Sequence, residues 1–265
     1  MQSNHLAPPL DILAVLQLAL VAWWREFAPI LALGALLITA PALLTQLLAP
    51  HAVEVSTIIA TARGVCGMLF LSAVVYGVLH AFARRPLAPR RFIVAGLAAA
   101  QPGLVVALIL GAGLMTVRII FLVSAALDPM AGGFIDGIAT AVALWSIATL
   151  LPAVPAAVAE RLGPIAALER AAALTRGNRV RLLVLCFVVV ITIVPIAALV
   201  DLVIFGDHAS ATDIARIDAA MTAGNPGLWI ALLVDLLIAG MLACVPAAVY
   251  AVLVTLRATS NGGRG

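Results

Sequence analysis

The 265-residue chain has no Lys, three Cys, four His and two Tyr, and only 10% of its residues are charged. Each scarcity excludes something. Cys66, Cys186 and Cys244 stand alone inside apolar runs, with no Cys-x-x-Cys, so buried thiols are expected and a metal or redox site is not. A net charge of +3, from 15 Arg against 12 acids, is too small and too dispersed for nucleic-acid binding. Soluble domains carry about a quarter charged residues. This chain is 65% hydrophobic with a mean hydropathy of +1.20, which excludes a water-soluble fold.

Catalytic signatures are missing too. There is no His-Glu-x-x-His, no Gly-x-Ser-x-Gly, no Walker loop and no paired intramembrane Asp motif. Gly111-x-Gly113 lies inside an apolar run and is no dinucleotide loop. The chain therefore reads as non-enzymatic, with neither a metal nor a cofactor expected.

What it has is apolar length. A bilayer core of about 30 Å takes about 20 helical residues, and six runs reach that length: 28–48, 57–83, 102–124, 138–159, 180–205 and 228–256. The expected fold is an all-α membrane protein, one polytopic domain over 1–265. Cytoplasmic loops are enriched in basic residues. Arg25, Arg84, Arg85, Arg90, Arg91, Arg161, Arg170, Arg176, Arg179, Arg181, Arg257 and Arg264 fall on one side of a six-span chain, and Arg216 alone on the other. Both termini are therefore expected in the cytoplasm. The first 30 residues lack a basic n-region, so the N-terminus is expected to be retained.

Three shorter apolar segments, at about 10–25, 89–101 and 164–176, each precede a span. They are expected to be interfacial helices on the cytoplasmic side. The pattern suggests a threefold unit of elbow helix plus hairpin. A seven-span chain would need 12–24 to cross, and its 13 residues cover only about 20 Å at helical rise.

Charges at membrane depth are functional candidates by default. Arg63, Arg118, Asp201 and Asp235 all fall near the outer ends of their spans, in one layer. Two readings stay open: an ion-pair cluster that locks the outer half of the bundle or snorkels to the interface, and an outward-open polar cavity that binds an anionic headgroup or substrate. Small residues four apart at Ala73-Gly77-Ala81, Gly103-Ala107-Gly111 and Ala239-Ala243-Ala247-Ala251 predict helix contact faces. Pro152 and Pro155 predict a kink in the fourth span, and His80 is expected near the cytoplasmic end of the second.

From Pro152 the chain reads PAVPAAVAERLGPIAALERAAALTRGNRVRLLVL. This stretch resembles the signature of a family of bacterial integral membrane domains found fused to glycerophosphoryl diester phosphodiesterases and also as standalone proteins. Pro155, Glu160, Gly163, Ala167, Leu168, Arg170, Leu174, Thr175, Gly177 and Arg179 stand at matching positions, while Ala171 and Val180 replace the family's Ser and Trp. The opening LDILAVLQLALVAWWREFAPILALGALL is similar to the family's first helix and span. The resemblance implies six spans with interfacial helices in the bacterial inner membrane and an envelope-associated role. It does not imply phosphodiesterase activity, which belongs to a separate barrel of about 250 residues for which this chain has no remaining stretch.

Within that stretch, Glu160 with Arg161, Arg170, Arg176 and Arg179 forms a second candidate site. It reads either as a clamp that fixes the elbow helix, or as a patch for anionic lipid headgroups or a membrane or cytoplasmic protein partner. The leading expectation is a scaffold or accessory subunit of an envelope or transport assembly. The alternative is a small transporter or lipid-handling protein that uses the outer polar layer.

Overall fold

Helix is the state that lets an apolar chain satisfy its own backbone without water, and every regular element among the described residues is helical. The structure is a computed structural model that describes residues 9–48, 53–83, 87–127, 129–205 and 226–262. The helices are α1 (Ile12–Arg25), α2 (Phe27–Gly34), α3 (Ala40–Leu48), α4 (Val53–Phe82), α5 (Pro89–Ala99), α6 (Gln101–Leu127), α7 (Pro129–Leu150), α8 (Ala153–Glu160), α9 (Pro164–Thr175), α10 (Arg179–Phe205) and α11 (Pro226–Gly262).

Among the described residues five segments are long and apolar enough to cross a membrane: Phe27–Leu44, Thr61–Phe82, Gly137–Glu160, Arg179–Ile196 and Pro226–Thr259. The run expected at 102–124 is α6, which meets the same criterion together with α5, the two being bent by 61°. Phe187, Ile191 and Val194 of α10, and Met115 and Ile119 of α6, point their apolar side chains outward, as a hydrocarbon solvent allows.

Several helices are broken, and each break has a local cause. Proline at 41 has no N–H to give the carbonyl four residues back, and its ring crowds that carbonyl. The chain widens into a π turn over Ala35–Thr39 just before it. Proline at 152 and 155 splits the fourth expected span into α7 and α8. The Thr149 carbonyl at that break accepts from the hydroxyl of buried Thr175, at the end of α9, at 3.2 Å. That hydroxyl also lies 3.0 Å from the Ala171 carbonyl of its own helix. Past α9, Gly177 takes the left-handed conformation (φ 94°). Glycine meets no Cβ penalty there, and the turn releases the chain into α10.

The three short segments appear as α1, α5 and α9, within a residue or two of the expected bounds. Each packs along the element that precedes it in a closed order: α5 on α4, α9 on α8, and α1 on α11. The elements that receive them, α4, α8 and α11, also touch one another and bury Val74, Val78, Ala156, Ala157, Ala247 and Ala248. The closest approach is at Gly77, where the Phe92 ring of α5 occupies the space a Cβ would take. Phe92 is fully buried as a result.

Gly77→Val should collide with that ring and cost about 1–3 kcal/mol, as overpacked cores do, seen as a lower unfolding temperature of the detergent-solubilised protein. Gly67→Ala, with nothing within 4 Å of the new methyl, should leave that temperature unchanged or raise it, since Ala outranks Gly in a helix by up to about 1 kcal/mol.

Candidate functional site

Helix α8 stops at Glu160 because Arg161 turns left-handed (φ 52°). The chain doubles back and starts α9 at Pro164, where a missing N–H leaves nothing unpaired. That reversal brings Arg170 level with Glu160, and its Nε donates to Glu160 Oε1 at 2.9 Å. The Tyr250 hydroxyl of α11 donates to the same oxygen at 2.8 Å. One carboxylate thus ties three helices together. The side chains of Arg170 and Glu160 are 38% and 29% exposed, so the ion pair is partly screened and belongs with surface pairs worth up to about 1 kcal/mol. The tyrosine bond adds about 0.5–1.5 kcal/mol.

Other bonds extend the clamp. Arg257 of α11 donates to the Ala173 carbonyl in the last turn of α9, where helical carbonyls run out of helical N–H partners. Asn178, between α9 and α10, is buried; its Oδ1 accepts from the Leu10 N–H at 2.9 Å. Arg181 donates to the Leu10 carbonyl at 2.8 Å. The segment ahead of α1 is therefore fastened to the start of α10 across 168 residues of sequence. Asp11 then caps α1, accepting from the Leu13 and Ala14 amides at 3.0 and 3.3 Å.

Of the remaining elbow residues, Arg176 is exposed at the end of α9. Arg179 is half-buried, with its Nε unpaired among the described residues. Arg161 is exposed and lines a cavity with Tyr76 and His80. The ring of His80 lies against that of Tyr76, centroids 4.2 Å apart and planes tilted by 40°.

In the outer layer, Arg63 Nη2 of α4 and Asp235 Oδ2 of α11 lie 3.7 Å apart. They are 43% and 62% exposed, so they meet at the bundle surface. Arg118 and Asp201 lie on α6 and α10, but their side chains fall outside the described residues, as do Arg84, Arg85, Arg216 and Arg264 altogether. Among the described residues no group of three His, Cys, Asp or Glu could hold a metal.

The sequence reading passed over Tyr250, Arg257 and Glu26 as site residues. Tyr250 is one of only two tyrosines, and a hydroxyl near the basic end of a span was the available signal. Glu26, in the bend between α1 and α2, is only 5% exposed, with Arg25 Nε 3.7 Å from its carboxylate. Burial raises the Glu26 carboxyl above its ordinary 4.5, and Arg25 opposes the shift. A group held more tightly protonated when folded costs stability as pH rises past its unfolded value.

Glu26→Gln removes that cost, so it should raise the unfolding temperature more at pH 8 than at pH 5. Equal effects at both pH values would show that the carboxyl is not perturbed. Tyr250→Phe and Arg170→Ala should each lower the unfolding temperature. A double-mutant cycle against Glu160→Gln should return non-additive values for both, because the three side chains share one oxygen.

Compared with known proteins, the chain matches no family model, no curated protein and no solved structure, so the geometry of its own residues is what bears on function.

Proposed function

We propose that this chain is a non-enzymatic, multi-pass protein of the bacterial inner membrane that serves as a scaffold or accessory subunit of an envelope or transport assembly. It crosses six times, α5 and α6 supplying the span beyond the five, and both termini are cytoplasmic. In this reading α1, α5 and α9 are the elbow helices of a threefold unit, and the chain is a relative of the phosphodiesterase-linked membrane domains.

The observation that carries the proposal is the arginine-bearing end. Glu160, Arg170, Tyr250 and Arg257 hold α8, α9 and α11 in one arrangement, while Arg90, Arg91, Arg161 and Arg176 remain exposed. A rigid frame that displays unspent cations suits docking to anionic headgroups or to an acidic protein face, each Arg near an anionic leaflet contributing about 1 kcal/mol. The closed packing order of α1, α5 and α9 supports the threefold reading.

A second reading, a small transporter or lipid-handling protein with an outer polar site, draws on the Arg63–Asp235 pair, whose side chains are 43% and 62% exposed. Exchanging the two as Arg63→Asp with Asp235→Arg would retain a structural bridge and abolish an anion site.

Topology is tested by labelling single cysteines in a chain freed of its native three. Ser260→Cys should react only with reagent that reaches the cytoplasm, and Ser210→Cys with reagent confined to the outside. Mild extraction should copurify a partner in fixed ratio, and reversing Arg90, Arg91 and Arg176 to Glu should release it without lowering the unfolding temperature. A chain that emerges alone under every mild condition would overturn the scaffold proposal.

A further inference from the structure

The last carbonyls of a helix have no helical N–H to accept from. A left-handed residue past the end ordinarily folds an N–H back onto them. At the end of α8 Arg161 takes that conformation (φ 52°), yet no donor among the described residues reaches the Val158 or Ala159 carbonyl.

Those two residues line a cavity of about 470 Å³, together with Tyr76 and His80 of α4, Ala83 just past that helix, and Arg161. Ala83, Ala159 and Arg161 are exposed, so the cavity opens to the surroundings. Two of the segments long enough to cross a membrane, Thr61–Phe82 and Gly137–Glu160, end beside it, which puts it at the depth of lipid headgroups. It lies about 25 Å along α4 from Arg63 at helical rise, well away from the Arg63–Asp235 pair.

The cavity offers both signs of partner. The Arg161 guanidinium makes no ion pair among the described residues, and the neighbouring Glu160 carboxylate is held by Arg170 and Tyr250. His80 Nδ1 lies 3.1 Å from the Tyr76 carbonyl. A carbonyl only accepts, so Nδ1 carries the proton, and Nε2 of the neutral ring is an acceptor. One cation thus stands beside a ring nitrogen and two carbonyls that need donors. A lone anion would satisfy the arginine and be repelled by the acceptors. A molecule that carries a phosphate and a primary ammonium answers both, since charged groups make the stronger hydrogen bonds.

We infer that this cavity binds a phosphate joined to a primary ammonium, as in an aminophospholipid headgroup, with the phosphate against Arg161 and the ammonium donating to His80 Nε2 and the Val158 and Ala159 carbonyls. The site goes beyond the scaffold proposal and needs no protein partner; the test of that proposal leaves Arg161 and His80 in place.

The test uses the full chain, purified in mild detergent, stripped of lipid and exposed to vesicles of equal parts phosphatidylethanolamine, phosphatidylcholine and phosphatidylglycerol, with bound lipid counted by native mass spectrometry. Wild type should retain phosphatidylethanolamine over phosphatidylcholine, whose quaternary nitrogen has no N–H, and over phosphatidylglycerol, which has no ammonium. Arg161→Asn, neutral and tolerant of the left-handed backbone, should weaken retention of the ethanolamine and choline lipids alike, about tenfold for one lost charged contact. His80→Phe keeps a ring and removes Nε2, so it should lower only the preference between those two. Ala83→Leu with Ala159→Leu fills the cavity from exposed positions and should abolish the preference at an unchanged unfolding temperature; either substitution alone serves should the pair not fold. Displacement by millimolar phosphoethanolamine would identify a soluble phosphoamine as the occupant, and persistence of the lipid a bilayer headgroup; either upholds the two contacts. Equal retention of the ethanolamine and choline lipids would overturn the inference. So would stronger retention of phosphatidylglycerol, the mark of a plain anion patch, or an ethanolamine preference that survives filling the cavity.

Discussion

Every break in a membrane-buried helix frees backbone groups that lipid cannot satisfy, and the architecture of this protein depends on how its breaks are accommodated. At the α7–α8 break the Thr149 carbonyl finds the Thr175 hydroxyl of the next short helix. Near Pro41 the helix widens into a π turn instead of opening. Between α9 and α10 a left-handed Gly177 turns the chain so that Asn178 can fasten Leu10. At the first and last of these breaks another element completes the bonding, so α1 and α9 are held by backbone chemistry as well as by packing.

Packing then follows a rule set by the solvent. Lipid tails are as apolar as leucine, so helices gain little from hiding apolar surface from them and depend on close contact. Gly77 against Phe92, and the alanines of α8 and α11 against α4, provide it. The small-residue faces were readable from spacing alone. Their partners were not, because a four-residue stripe says that something approaches closely without saying what, and Phe92 arrives from a short helix beyond the end of the same span.

Charge is where sequence and structure part furthest. The pairing of Glu160 with Arg170 was legible because both lie in one recognisable stretch, ten residues apart across a reversal announced by Gly163 and Pro164. Tyr250 and Arg257 join the same cluster from 90 and 84 residues away, a distance over which periodicity carries no information. Arg63 and Asp235 were read as one layer from depth alone, and α4 and α11 bring them within 3.7 Å. Glu26 carries no signal in the sequence pattern. The bend between α1 and α2 turns it inward, which no local pattern signals.

The sequence by itself determined that this chain is helical and suited to hydrocarbon, because mean hydropathy, run length and the near absence of charge leave an apolar backbone no other way to satisfy itself. It also determined which end carries the arginines, since their positions alternate with the runs. Tertiary structure alone decided which charges meet and which helix each break leans on. Those outcomes depend on the rotation and crossing of helices, which are set by contacts between residues far apart in the chain.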